Sequence, residues 1–345
     1  MEKRSKDRRG LWWTVRQVRH RFLPGALILC YHRVIDLPSD PHSLCVTPQI
    51  FAQHLELLRR HCRTMQLREL VRHLRQNTIP PRAVVLTFDD GYADNLYQVK
   101  PLLARYGLPA TVFVTAGYLG SERERWSDEL ERLLLHPGTV PGRLSLHING
   151  RLHAWALEEA VQYSEEDFQR HRFWTVELKH DPSPRQRLFR VLHKLLLPLP
   201  EVERGKILDQ LSRWSGAQSV VRPTHRPLSP DEVVRLAEGD LVDIGAHSVT
   251  HPVLPKLPVA QQRDEIRQSK GDLEKFLGRP VTSFAYPYGA RSPETVALVQ
   301  EAKYECACIN FDDVIFRGTD RFQLPRVCIG NWDVDIFARR LGIHA

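Results

Sequence analysis

Two adjacent carboxylates close an aliphatic run, Ala83-Val84-Val85-Leu86-Thr87-Phe88-Asp89-Asp90-Gly91-Tyr92. The run reads as a strand buried on both faces. Neighbouring carboxylates repel, so both stay ionised only where a metal or a cationic group takes up their charge. Gly91 then lets the chain turn away. A solvated Asp-Asp-Gly turn is the plain alternative. A second segment changes the balance: Gly245-Ala246-His247-Ser248-Val249-Thr250-His251-Pro252, which follows a strand expected at Leu241–Ala246. Histidines at i and i+4 on a single turn face the same way and can hold one cation. Both segments lie at strand C-termini, and in parallel α/β folds those ends gather on one face, where active sites are built.

One carboxylate and two imidazoles make a three-ligand site with open positions, the arrangement of a catalytic metal. Zn²⁺ is favoured, and Co²⁺, Ni²⁺ or Fe²⁺ fit the same ligands. The other carboxylate is free to take a proton from bound water, whose pKa a metal lowers towards about 7. A third segment, Ser283-Phe284-Ala285-Tyr286-Pro287-Tyr288-Gly289, ends another strand. Its Pro and Gly fix a turn that can aim a backbone N–H at an oxyanion, although alone it reads as a turn with aromatics.

The elements that must position these groups alternate. Strands are expected at Ala26–Tyr31, Ala83–Phe88, Ala110–Thr115, Leu241–Ala246, Thr282–Tyr286, Tyr304–Ile309 and Phe322–Cys328. Pro48–Cys62 is an amphipathic helix with Phe51, Leu55 and Leu58 on one face. Val259–Leu277 is another, lined by Ile266, Leu273 and Leu277 and stopped by Gly278 and Pro280. Buried strands alternating with helices argue for a parallel sheet or barrel. Between Gly120 and Ser229 the pattern turns mostly helical, around Trp126–His136, Gln186–Leu197 and Val202–Trp214. Within it Arg143–Ile148 and Arg151–Trp155 flank Asn149-Gly150, a hairpin signal. The domain is therefore expected over 23–345, interrupted by an insertion at about 120–229 that caps the site or sets substrate choice.

The formal charge of +8 over 345 residues suits an anionic partner. No RNA-binding or zinc-finger motif gathers that charge, so no nucleic acid is expected. The arm at 1–22 is basic and carries Trp12 and Trp13, which suits peripheral contact with an anionic membrane. It lacks the apolar core of a secretory signal, and Phe22–Tyr31 is shorter than the roughly 20 residues needed to span a bilayer. A cytoplasmic or peripheral-membrane location, and a biosynthetic precursor as substrate, are the expectations that follow. The six cysteines are scattered without a Cys-x-x-Cys pair and are read as reduced.

Taken in order, the three segments resemble the motifs of the polysaccharide deacetylase family, the NodB-homology group of carbohydrate esterases. Thr87-Phe88-Asp89-Asp90-Gly91, His247-Ser248-Val249-Thr250-His251 and Tyr286-Pro287-Tyr288-Gly289 carry the likeness, across roughly Leu27–Leu119 and Pro230–Ile329. The resemblance implies a distorted (β/α) barrel, usually seven-stranded. It implies metal-dependent removal of N- or O-acetyl groups from sugars. By position, Asp89 would be the catalytic base, Asp90, His247 and His251 the metal ligands, and the Tyr288 backbone N–H the oxyanion donor. Two positions depart from the family pattern. Ala285 stands where many members have an arginine that orients the base. The last strand, Gln323-Leu324-Pro325-Arg326-Val327, lacks the histidine that serves as general acid. Leu29-Cys30-Tyr31-His32-Arg33-Val34 is similar to the Tyr-His segment of the branch acting on poly-N-acetylglucosamine. On that likeness His32 would be the acid. Separately, Arg326 is expected beside Asp89 in place of the missing arginine.

The resulting expectation is an N-acetyl hydrolase acting on an N-acetylated glycan or a lipid-linked or other precursor amino sugar. Three alternatives stand beside it: a deformylase of a lipid-linked amino sugar, an Fe²⁺ oxygenase with two histidines and one carboxylate, and a non-catalytic glycan-binding module. The oxygenase leaves the second aspartate unexplained, and the binding module leaves the full ligand set unexplained.

Overall fold

The computed structural model describes residues 25–217 and 220–343. The basic arm at 1–22, with its expected membrane contact, lies outside the described residues. Seven parallel strands close on themselves: β1 Ala26–Tyr31, β2 Ala83–Phe88, β3 Ala110–Val114, β4 Val242–Ala246, β5 Ser283–Ala285, β6 Cys306–Asn310 and β7 Leu324–Cys328. Neighbours in sequence are neighbours in the ring, and β7 returns to β1 through Leu29↔Val327 and Cys30↔Cys328. The fold is a closed (β/α) barrel with flanking helices. The ring is uneven. β1 and β2 pair along their whole length, from Ala26↔Ala83 to Tyr31↔Phe88, whereas β4 and β5 meet only at Ala246↔Phe284.

The two-residue period of each strand sorts its side chains. On β1, Leu27, Leu29 and Tyr31 pack outward with the helices, while Ala26 and Ile28 join an inner cluster with Ala83, Val85, Phe113, Ala285, Cys306, Cys308 and Leu324. The interior favours small residues because seven strands leave little room. At Gly245 a Cβ would stand 2.4 Å from the Phe113 ring. Helix Pro48–His61 is capped by Thr47, whose side chain accepts from the Ile50 amide, and buries Phe51, Leu55 and Leu58. Helix Val259–Leu277 buries Ile266 and Leu273 and ends at Gly278, whose φ of 64° suits a left-handed cap. Tyr304 and Phe322 fall just before their strands rather than within them, and β5 is trimmed at both ends. Both aromatics still pack in the core, so burial without ladder pairing accounts for the shift.

The segment between β3 and β4 carries its own hydrophobic cluster. Helices Trp126–Leu135, Pro184–Leu196 and Glu201–Ser215 contribute Leu130, Leu134, Phe189, Leu192, Leu208 and Leu211. The hairpin Arg143–Ile148 with Arg151–Ala156 adds Leu144, Leu146 and Ile148. Asn149 and Gly150, at φ 51° and 72°, form its turn, as that pair of residues requires. Arg185 is buried beneath this cluster and donates to the carbonyls of Ala160, Leu134, Gly138 and Val161, tying strand ends to helix. All six cysteines are free thiols. Among the described residues no helix is long and apolar enough to cross a membrane.

Burial holds several histidines neutral. Burial pushes His54 down to about 4, and pushes His193 and His225 down to about 3. Each takes up a proton on unfolding wherever pH lies below its unfolded value of about 6.5. Their contribution is therefore complete above that pH and is lost as pH falls towards the folded values. Asp128, raised to about 6 by burial, works in the opposite sense and offsets part of the loss. The urea unfolding midpoint should fall as pH goes from 7 to 4; a flat or rising midpoint would contradict the buried neutral imidazoles.

Candidate active site

At the C-terminal rim of the barrel, β2 stays in the sheet as far as Asp89, whose amide donates to Tyr31 O at 3.0 Å. The chain then leaves through two left-handed residues, Asp90 at φ 80° and Gly91 at φ 73°. Asp90 adopts this conformation without being glycine, which costs free energy and turns its carboxylate towards the end of β4. There the His247 amide continues the ladder, donating to Val114 O at 2.9 Å. The spacing of His247 and His251 led to an expectation of one regular turn. The segment is instead an irregular loop with Ser248 at φ 61° and His251 at φ 57°. Three anchors hold it. Gly117 N donates to Val249 O at 2.9 Å, an approach so close that a Cβ on Gly117 would stand 2.6 Å from that oxygen. Ser248 Oγ accepts from the His251 amide at 3.0 Å. Glu265, from helix Val259–Leu277, accepts from the amides of Val249 and Thr250 and from the Thr250 hydroxyl at 2.8, 2.9 and 2.5 Å.

The loop brings His247 Nε2 and His251 Nε2 to 3.1 Å from each other. Asp90 Oδ1 lies 3.8 Å from the first and 3.4 Å from the second. Donor atoms on a tetrahedral zinc stand roughly 3.3 Å apart, given bonds of about 2.0–2.1 Å. The three atoms therefore fit one cation. His247 Nδ1–H donates to Ala285 O at 2.8 Å, which leaves Nε2 as the lone pair facing the cluster. Burial lowers the pKa of both histidines; nearby Asp89 and Asp90 oppose this at His247, and Arg125 adds to it at His251. Both are thus neutral, as ligation requires. Asp90 Oδ1 is buried with no hydrogen bond among the described residues. Arg125 Nη2 lies 2.9 Å from it, an ion pair whose angle falls outside hydrogen-bond geometry.

Asp89 is held differently. Arg326, from β7, donates Nη1 to Oδ1 at 2.7 Å and Nη2 to Oδ2 at 2.6 Å, and both residues are fully buried. The guanidinium is fixed in turn by Asn310 Oδ1 at 2.6 Å. Burial pushes the Asp89 carboxyl up, but Arg326, then His247, outweigh it and hold the group well below the usual carboxylate range. The Cys30 thiol donates to Asp89 Oδ2 at 3.5 Å. A His32 ring nitrogen, Cys30 Sγ and an Asp89 oxygen lie within 4.8 Å of one another, so His32 stands on the Asp89 side of the site. Tyr288 has φ 58° and ψ 10°, and its ring lies edge-on to His251 with centroids 4.5 Å apart. All seven residues singled out from the sequence are brought together: six line or enter one cavity of about 220 Å³ or its ligand cluster, and Arg326 lies behind it on Asp89.

The sequence reading missed Arg125, Glu265, Asn310, His42 and His193. Arg125 immediately precedes the helical stretch expected from Trp126, but no spacing marks it. The others come from distant elements and carry no local signal.

A closed parallel barrel with its functional side chains gathered at the strand C-termini is the layout of a (β/α)-barrel of the enzyme type. The model of one family, polysaccharide deacetylase, matches residues 76–142 and 210–307. Over those two stretches the chain carries a polysaccharide deacetylase domain. A Bacillus subtilis relative whose name assigns it to the polysaccharide deacetylases, YxkH, is 31% identical over 123 residues, which are 35% of this chain and 43% of the relative. The poly-β-1,6-N-acetyl-D-glucosamine N-deacetylase of Staphylococcus epidermidis is 30% identical over 110 residues, 28% of this chain and 38% of the relative. The chain thus spans about two-fifths of the length of these relatives. The solved structure of IcaB from Ammonifex degensii superposes with a TM-score of 0.57 at 17% identity, covering 93% of this chain and 97% of that one. At that identity the likeness shows the fold.

The buried Asp89–Arg326 pair yields a stability test. Removing one partner strands a buried charge, at about 3–5 kcal/mol, whereas replacing both with apolar residues is often close to neutral. Arg326→Met alone should therefore destabilise strongly, and Arg326→Met with Asp89→Leu should recover most of the loss in urea unfolding. Additive losses would show that the two side chains do not depend on each other.

Proposed function

We propose that this protein is a metal-dependent hydrolase that removes N-acetyl groups from an amino-sugar-containing glycan or its biosynthetic precursor. The observation that carries the reading is the separation of two adjacent carboxylates. Asp90 Oδ1 points into the imidazole cluster, while Asp89 is gripped by Arg326. One is placed as a ligand and the other as an ionised base. The family and the name of the Staphylococcus epidermidis relative support an N-acetylglucosamine polymer or a related sugar as substrate.

Asp90, His247 and His251 would hold the divalent cation, with Zn²⁺ favoured by the nitrogen-rich donor set. Such a cation supplies Lewis-acid polarisation of a carbonyl and a lower pKa for water. Asp89 accepts the proton of the attacking water, and Arg326 keeps it ionised and aimed. The Tyr288 N–H, presented by a left-handed backbone, donates to the developing oxyanion. His32 protonates the amine as the C–N bond breaks. Residues 23–345 are read as one domain with an insertion at about 120–229.

Purified protein should release acetate, and no formate, from N-acetylated glucosamine oligomers. A chelator should stop release, and added Zn²⁺ or Co²⁺ should restore it. Asp89→Asn should lower the rate by about 10²–10⁴-fold; an undiminished rate would remove Asp89 as the base. His32→Ala should lose turnover while its metal affinity, read by calorimetry, stays at the wild-type value. Near-normal turnover would take the acid role from His32.

A further inference from the structure

We propose that the segment between β3 and β4 closes the site into an end-on pocket for a single terminal N-acetylated sugar, with His42 and His193 reading its hydroxyls. This deepens the deacetylase reading and rests on it for the identity of the sugar.

The cavity is walled from three directions. The barrel rim supplies the ligand cluster and Asp89, the chain after β1 supplies His32, His42 and Leu44, and the inserted segment supplies Arg125, Trp126 and His193. The last two walls are joined. Val176 N donates to Pro41 O at 2.9 Å. The His42 ring lies 5.5 Å from Phe189 and 4.5 Å from His193, centroid to centroid. His193 stacks on Trp126 at 4.8 Å, and the Arg204 guanidinium covers Trp126 at 4.9 Å. The far wall is therefore packed on the second hydrophobic cluster and is part of the folded body. The cavity volume of about 220 Å³ lies below the roughly 300–1,000 Å³ of pockets for drug-sized ligands, the scale of one sugar ring rather than a run of them.

The chemistry of that wall selects an uncharged ligand. Burial lowers the pKa of His42, and burial with the charges of His42 and Arg204 takes His193 down to about 3. Both rings present neutral donors and acceptors. His42 Nε2 is buried with no hydrogen-bond partner among the described residues. Arg125 is the one cationic side chain other than histidine lining the cavity among the described residues, and it is engaged by Asp90 and by Thr115 Oγ1 at 3.2 Å. Away from the metal-ligand cluster, a phosphate or carboxylate finds no free cationic side chain among the described residues, whereas a sugar hydroxyl finds two imidazoles. Trp126 is only 3% exposed, so it braces His193 instead of offering a stacking face.

The test uses metal-loaded protein with β-1,4- and β-1,6-linked N-acetylglucosamine oligomers of one to six sugars. Calorimetric affinity should be flat with chain length, and mass spectrometry of the products should find at most one free amine per chain, on a terminal sugar. Affinity that climbs with length, no binding to any oligomer, or amines at internal positions would each overturn the pocket. Flat affinity without acetate release would uphold the pocket and sink the deacetylase reading instead, so the two failures are distinguishable. His193→Gln and His42→Ala should each raise KM about tenfold, the scale of one lost hydrogen bond, with kcat held. A fall in kcat at constant KM would show that the imidazoles serve the fold or the chemistry and do not read the sugar.

Discussion

The buried pair of Asp89 and Arg326 is the constraint on which the rest of the site depends. A lone carboxylate inside a barrel would neutralise itself by protonation. Here a guanidinium from the last strand meets it on both oxygens, with neither residue exposed. Holding Asp89 in this way frees Asp90, its immediate neighbour, to serve a different centre. The barrel makes the arrangement possible because β7 closes on β1, next to β2, and so carries Arg326 across to the end of β2. An open sheet would leave first and last strands apart.

The other half of the site is built by backbone strain. Asp90, Ser248, His251 and Tyr288 all lie in the left-handed region that non-glycine residues avoid. Such conformations persist only where surroundings over-determine them. Here those surroundings are visible: the Glu265 carboxylate on the loop amides, the Gly117 approach, and the Gly289 turn, where a Cβ would stand 2.7 Å from Asn310 N. The free energy stored in these residues sets three donor atoms at a common point before any cation arrives.

Much of this could be read from the chain alone, and for definite reasons. The seven strands announce themselves as short aliphatic runs, because each is covered on both faces. Asp89, Asp90, His247 and His251 are legible because they stand where such runs stop. Arg326 became a candidate through the family likeness, because Ala285 stands where many members carry the arginine that orients the base. The loop shape was not legible. Regular i, i+4 geometry is the simple inference from His247 and His251, and only the long-range contact with Glu265 reveals otherwise. Arg125, His42 and His193 escaped for the same reason: their meaning lies in which distant elements pack together, and periodicity carries no record of that.

The thin seam between β4 and β5 has a consequence of its own. One residue pair joins the strands there, and the bond from His247 Nδ1 to Ala285 O crosses the same gap. The imidazole is therefore a rivet in the barrel wall as well as a donor at the rim. Whatever fixes its other nitrogen also clamps the weakest join of the ring, so occupancy of the rim and breathing of the barrel are mechanically one event.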